Sequence, residues 1–193
     1  MREVLGADVK LYVDAHCGLD LFHATDLARR IEPHYVGFFE VPLTQNDVRQ
    51  MAALRGRTTI PLAFGQNEGL AFRFRDLLIQ QAADVLQPNV VISGAYSQCV
   101  RIAAMAQAFN VPIDNGGAWP IHNMHLHAGV SIGGMVEYHY VAVQPLKQIY
   151  DHLPEPLNGW LTLPDKPGLG FAPNAERVRE LAELPLSRGK GKA

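Results

Sequence analysis

Short runs of β-branched and aromatic residues alternate along the chain with longer stretches whose apolar positions recur at helical spacing. This is the pattern of consecutive β-α units closing on a parallel sheet. The strands it predicts are Lys10 to Asp14, Tyr35 to Glu40, Thr59 to Phe64, Asp84 to Leu86, Val111 to Asp114 and Val136 to Ala142. Helices fill most of the gaps. Thr25 to Ile31 carries Leu27 and Ile31 one turn apart, and Val48, Met51, Ala52 and Leu54 share a face of the next helix, so both should pack on the sheet. Between Tyr96 and Phe109, the positions Val100, Ala103, Ala104, Ala106 and Ala108 predict a small-residue face, with Asn110 as the helix stop. A short helix is expected over Pro145 to Leu153, followed by repeated turns through the Pro/Gly-rich passage from Pro154 to Gly170.

The fold class is therefore α/β, a partial TIM-type (β/α) barrel of about six strands spanning 1–186, with 187–193 as a disordered basic tail. Composition narrows the partners. A formal net charge of −2 with scattered Lys and Arg offers no footprint for nucleic acid or an anionic membrane. A small molecule or a protein partner is expected instead. No run of apolar residues approaches a membrane span, and the N-terminus has no apolar signal core. The only cysteines, Cys17 and Cys99, lie far apart outside any CxxC pattern, which predicts a reducing, cytoplasmic setting.

Three polar residues close successive predicted strands at matching intervals: Asp14, Glu40 and Gln66, with Asn89 one further unit along. In a β/α barrel such ends converge on one mouth. Oxygen donors on neighbouring strand ends suit an octahedral Mg²⁺ that keeps room for water and substrate. The alternative is strand-end residues that satisfy loop amides. Glu68 offers a second carboxylate near Gln66. His122, His125, His127 and His139 do not present H-x-x-H-x-H on one helix face, which favours capping and packing, with His122 nearest the mouth. Arg73 and Arg75 are expected to pair with Asp76 or a mouth carboxylate, or to be solvated. Asn115-Gly-Gly-Ala-Trp-Pro reads either as a pocket wall for a substrate carboxylate or as a tight loop.

Several motifs carry a resemblance: VDAH at Val13 to His16, FFEVPL at Phe38 to Leu43, IPLAFGQNEG at Ile60 to Gly69, LQPNVVISGAY at Leu86 to Tyr96, VRIAAMAQAFNVPI, MVEYHY at Met135 to Tyr140, and LPDKPGLGF at Leu163 to Phe171. In order and spacing they resemble the enolase superfamily, mandelate racemase/muconate lactonizing enzyme family, nearest to its acid-sugar dehydratases. The resemblance implies an enolase-type C-terminal barrel, with Mg²⁺ held by Asp14, Glu40 and Gln66. It also implies abstraction of the proton α to the carboxylate of a small hydroxy-acid or sugar-acid substrate. Lyase (dehydratase) and isomerase (racemase, cycloisomerase) outcomes share that step.

The departures matter as much. Gln66 stands where a third carboxylate is expected, and Asn89 and Asn115 stand where the family's Asp-His pair would be. Neutral amides cannot act as general bases. His16 matches the acid of the dehydratases or is a loop histidine. Glu137 matches the acid on the last strand or pairs with an Arg, and His122 is the candidate replacement for the missing His. The family's Lys-x-Lys strand, first barrel strands and capping domain would precede this sequence. They are expected from a longer natural chain or, by oligomerisation, a second copy. The rival expectation is a catalytically inactive barrel remnant or gene fragment with a binding role only.

Overall fold

The structure, a computed structural model, describes residues 1–44 and 47–183; the predicted basic tail at 187–193 lies outside them. The chain divides into two compact units, Met1–Glu137 and Tyr138–Ala193.

The first unit opens with α1 (Arg2–Leu5), whose Arg2 guanidinium donates to the carbonyls of His34 and Tyr35. Four parallel strands follow in the order β1-β2-β3-β4: β1 (Leu11–Asp14), β2 (Val36–Glu40), β3 (Leu62–Phe64) and β4 (Val85–Leu86). Between them run α2 (Leu21–Ile31), α3 (Val48–Arg55) and α4 (Ala71–Ile79), and after them α5 (Ala95–Ala108) and α6 (Pro120–Gly129). Local sequence starts the helices. The Asp20 carboxylate accepts from His23 N at 2.8 Å and Asp47 from Arg49 N at 2.9 Å, satisfying first-turn amides, while Pro120 begins α6 where no amide donor is needed.

The core forms where β2 to β4 meet the helices. Phe39, Leu62, Phe64 and Leu86 from the strands meet Met51, Leu54, Phe74, Leu77 and Ile102 from α3, α4 and α5, all at most 1% exposed. The edge strand β1 instead alternates, with Tyr12 and Asp14 exposed. The register pairs Asp14 with Glu40, and Glu40 with Ala63, so the C-terminal ends of β1 to β3 lie level.

Four expectations need correction. The strand over Val111 to Asp114 contracts to one residue, Ile113, which bridges Leu86 on one side and Gly133 on the other, giving four regular strands among the described residues instead of six. The strand over Val136 to Ala142 does not form. There, in the second unit, α7 (Tyr140–Ile149) begins, capped by His139 Nδ1 accepting from Ala142 N at 3.0 Å, with Val143 and Leu146 buried one turn apart. The cap and the three-residue spacing override the short alternation around Tyr138, and Pro145 lies inside this helix instead of starting one. On α5 the buried face is Cys99, Ile102, Ala103 and Ala106, while Val100, Ala104 and Ala108 point outward; the larger Ile102 fixes which face turns inward.

The second unit continues through turns closed by the antiparallel bridges Leu157 to Trp160 and Tyr150 to Pro173, and ends in α8 (Ala175–Glu183), which Asn174 caps. No helix among the described residues is long and apolar enough to cross a membrane.

Candidate active site at the strand ends

Asp14 ends β1 with an exposed side chain whose Oδ1 accepts from His16 N at 2.7 Å. Strand alternation would aim the His16 ring beside it, but the strand stops at Asp14. His16 and Cys17 take left-handed conformations (φ 46° and 58°), so the alternation argument ends there and the exposed His16 meets Asp14 through its backbone.

Glu40 ends β2 and is half-buried. Its carboxyl is pushed up to about 7, first by burial, then by the charges of Asp14, Glu137 and Asp114, and is partly eased by the Gln87 amide. Gln66 follows β3 through a turn at Gly65 (φ 125°) and is 3% exposed, with its Nε2 unpartnered. Glu68 is engaged by Arg73 through two hydrogen bonds of 2.8 and 3.2 Å. Arg75 pairs with Asp76.

Over these side chains lies the loop from Asn115 to Trp119. A Cβ at Gly116 would stand 2.7 Å from both Glu40 Oε1 and Gln87 Nε2, and one at Gly117 would stand 3.2 Å from Gln66 Oε1. Only glycines allow the backbone to approach this closely. Gly117, Ala118 and Trp119 all have positive φ (75°, 64°, 59°), a strained run that needs outside support.

Three buried asparagines supply it. Asn89 Nδ2 donates to the carbonyls of Gly116, Gly117 and Ala118 at 2.9, 3.1 and 3.2 Å. Asn115 Nδ2 reaches Gly116 and Ala118, and Asn123 Nδ2 reaches Ala118 and Trp119. The turn in its place directs Ala118 N onto Glu137 Oε2 at 2.8 Å. Glu137 thus sits outside any strand, takes a backbone amide where an Arg was an alternative, and faces Glu40 electrostatically.

The structure therefore gathers Asp14, Glu40, Gln66, Asn89, Asn115 and Glu137 at one mouth. His122 belongs to other contacts: its ring stands edge-on to Trp119 and its carbonyl accepts from Tyr96 Oη at 2.7 Å. Sequence reasoning missed Gln87, Asp114 and Asn123. Asp114 and Gln87 stand at or just past the ends of apolar runs, so the strand-end rule that selected Glu40 reaches them too. Asn123, in mid-helix, carries no such signal.

Among the described residues no three His, Cys, Asp or Glu side chains are arranged to hold a metal ion. A mixed set of two carboxylates and an amide oxygen remains: Asp14, Glu40 and Gln66. It fits a hard cation, because crowded acidic charge is what such an ion relieves and because the amide oxygen of Gln66 is the kind of donor such an ion accepts.

Comparison with known proteins places these features in context. A family model described as Enolase C-terminal domain-like matches residues 1–178. An arabinonate dehydratase of Saccharolobus solfataricus is 30% identical over 175 residues, covering 89% of this chain and 47% of its own. A mandelate racemase/muconate lactonizing enzyme from a marine actinobacterium, solved in complex with magnesium, aligns with a TM-score of 0.83 at 32% identity over 93% of this chain and 51% of that one. An L-talarate dehydratase from Polaromonas sp. JS666, complexed with Mg and L-glucarate, gives 0.81 at 28% identity over 92% and 48%. The chain spans about half the length of the relatives it matches.

Proposed function

We propose, from the premise that this chain belongs to the mandelate racemase/muconate lactonizing enzyme family of the enolase superfamily, that it carries the metal-binding mouth of a lyase or isomerase acting on a small sugar-acid or hydroxy-acid carboxylate. Asp14, Glu40 and Gln66 would hold Mg²⁺, which supplies charge stabilisation at the substrate carboxylate as the α-proton leaves. Glu137, fixed by Ala118 N–H beside the mouth, is the acid-base group best held in position. Asn89 and Asn115 have no proton-accepting role and act by shaping the Gly116-Gly117 wall. The observation that carries the reading is the level register of Asp14 and Glu40, with Gln66 and Glu137 gathered around the same loop.

A second reading, a catalytically silent barrel remnant that only binds, is favoured by the engagement of both asparagine amides with loop carbonyls. Calorimetry with Mg²⁺ on the purified chain separates the two. Binding in the low-millimolar range or tighter, abolished in Asp14→Ala and Glu40→Ala, is the expected outcome; a folded chain that takes up no Mg²⁺ leaves the silent reading as the better account.

A further inference from the structure

Beyond Ile113 the backbone ladder slips by one residue. Gly134 N donates to Ile113 O at 3.0 Å, and a regular parallel pair would next join Asn115 N to Gly134 O. Asn115 N donates instead to Met135 O at 2.8 Å. Gly134 and Met135 together therefore oppose Asp114, which makes a β-bulge and leaves one extra amide, Met135 N, outside the ladder. The Asp114 side chain supplies its acceptor, with Oδ1 taking Met135 N at 2.6 Å. A Cβ on Gly134 would collide with that same oxygen, so glycine is what lets the carboxylate reach across. Tyr12 Oη adds a hydrogen bond to Met135 Sδ at 3.4 Å.

The slip advances the chain by one residue, which carries Glu137 to the level that Val136 would take in an unbulged ladder. Glu137 Oε2 then accepts from Ala118 N at 2.8 Å. No regular strand among the described residues includes this segment, so the contacts at Met135 stand in for one. We propose that Asp114 is a positioning residue: by accepting Met135 N it holds the bulge that brings the Glu137 carboxylate onto the Ala118 amide at the mouth. Glu137 matters through the acid-base role proposed above, on which the chemical weight of Asp114 rests. Asp114 itself is assigned no contact with substrate or metal.

Asparagine keeps an acceptor oxygen in the same place, whereas alanine leaves Met135 N without one. Amide resonances are therefore followed by NMR, without metal or ligand, in the wild-type chain, Asp114→Ala, Asp114→Asn and Glu137→Ala. In Asp114→Ala the Ala118 amide proton is expected to move to its position in Glu137→Ala, where the acceptor is gone; in Asp114→Asn it stays close to wild type. An unmoved Ala118 in Asp114→Ala overturns the proposal, as does an asparagine variant that shifts it as far as alanine. Equal shifts at Phe39 and Leu86 would reduce Asp114 to a general stabiliser and overturn it too. Should Asp114→Ala not fold, the wild-type chain decides: couplings across the hydrogen bonds from Met135 N to Asp114 Cγ and from Ala118 N to Glu137 Cδ are expected, and the absence of either sinks the proposal. A chain that takes up no Mg²⁺ yet shows the expected shifts loses the metal reading and keeps the bulge. One that binds Mg²⁺ while Ala118 stays unmoved does the reverse.

Discussion

A single ring nitrogen illustrates how the fold sets protonation. His127 is buried on α6, and its Nδ1 accepts from Gly134 N at 3.2 Å, so the ring is neutral with the proton on the opposite nitrogen. Burial lowers its pKa to about 4. In the unfolded chain the same ring titrates near its ordinary value of about 6.5, so between these values the unfolded state binds more protons and stability rises with pH. The contribution is fully present above about pH 6.5 and is lost as pH falls towards 4, amounting to about 3 kcal/mol at the acid end. Urea unfolding of the wild-type chain and His127→Asn from pH 7 to pH 4 measures it. Carboxylates such as Asp20, Asp47 and Glu32, which hydrogen bonds hold below their usual range, affect both proteins alike. The difference between the two profiles should therefore shrink with acid, and parallel profiles would refute the assignment.

The loop from Asn115 to Trp119 shows the same economy one level up, since it holds three consecutive left-handed residues only because side chains from two other segments grip it. Val91 N and Asn123 Nδ2 both donate to Asn89 Oδ1, which fixes the amide so that its Nδ2 must face the loop carbonyls. Asn89→Asp keeps the shape and those two bonds but turns a carboxylate oxygen on three carbonyls. The expected cost is about 1–3 kcal/mol, with hydrogen exchange at Ala118 speeding tenfold or more beyond any change at Phe39 or Leu86; equal changes at all three would reduce Asn89 to a general stabiliser. This device also marks where sequence reading ends. The strands ending at Asp14 and Glu40 were legible because apolar runs, turn residues and spacing are local signals. The bridge at Ile113 and the helix at Tyr140 were misjudged because short alternating runs suit either element until a cap or a neighbouring strand decides. Gln87 and Asn123 were missed because their importance arises from partners far away in sequence.

At the scale of the whole molecule, acidic charge is concentrated where the strands end while the net formal charge is only −2. Burial first, and then the charges of Asp14, Glu137 and Asp114, raise Glu40, so folding brings like charges into a half-buried mouth and sets part of the hydrophobic stabilisation of the sheet core against their desolvation and repulsion. A cation that binds the folded mouth and not the unfolded chain removes that opposition by mass action. With a dissociation constant of about 1 mM, 10 mM Mg²⁺ would stabilise the fold by about 1.4 kcal/mol, which for a chain of 193 residues corresponds to a rise in melting temperature of about 2–5 °C. Equal concentrations of NaCl, which only screen, should reproduce little of it. The rise should vanish in Asp14→Ala, where the lost ligand also relieves Glu40 and so raises the metal-free stability. That opposite pair of effects, a more stable apo protein that no longer responds to Mg²⁺, distinguishes a ligand-bearing mouth from a structural carboxylate, whose removal would lower stability with and without the ion.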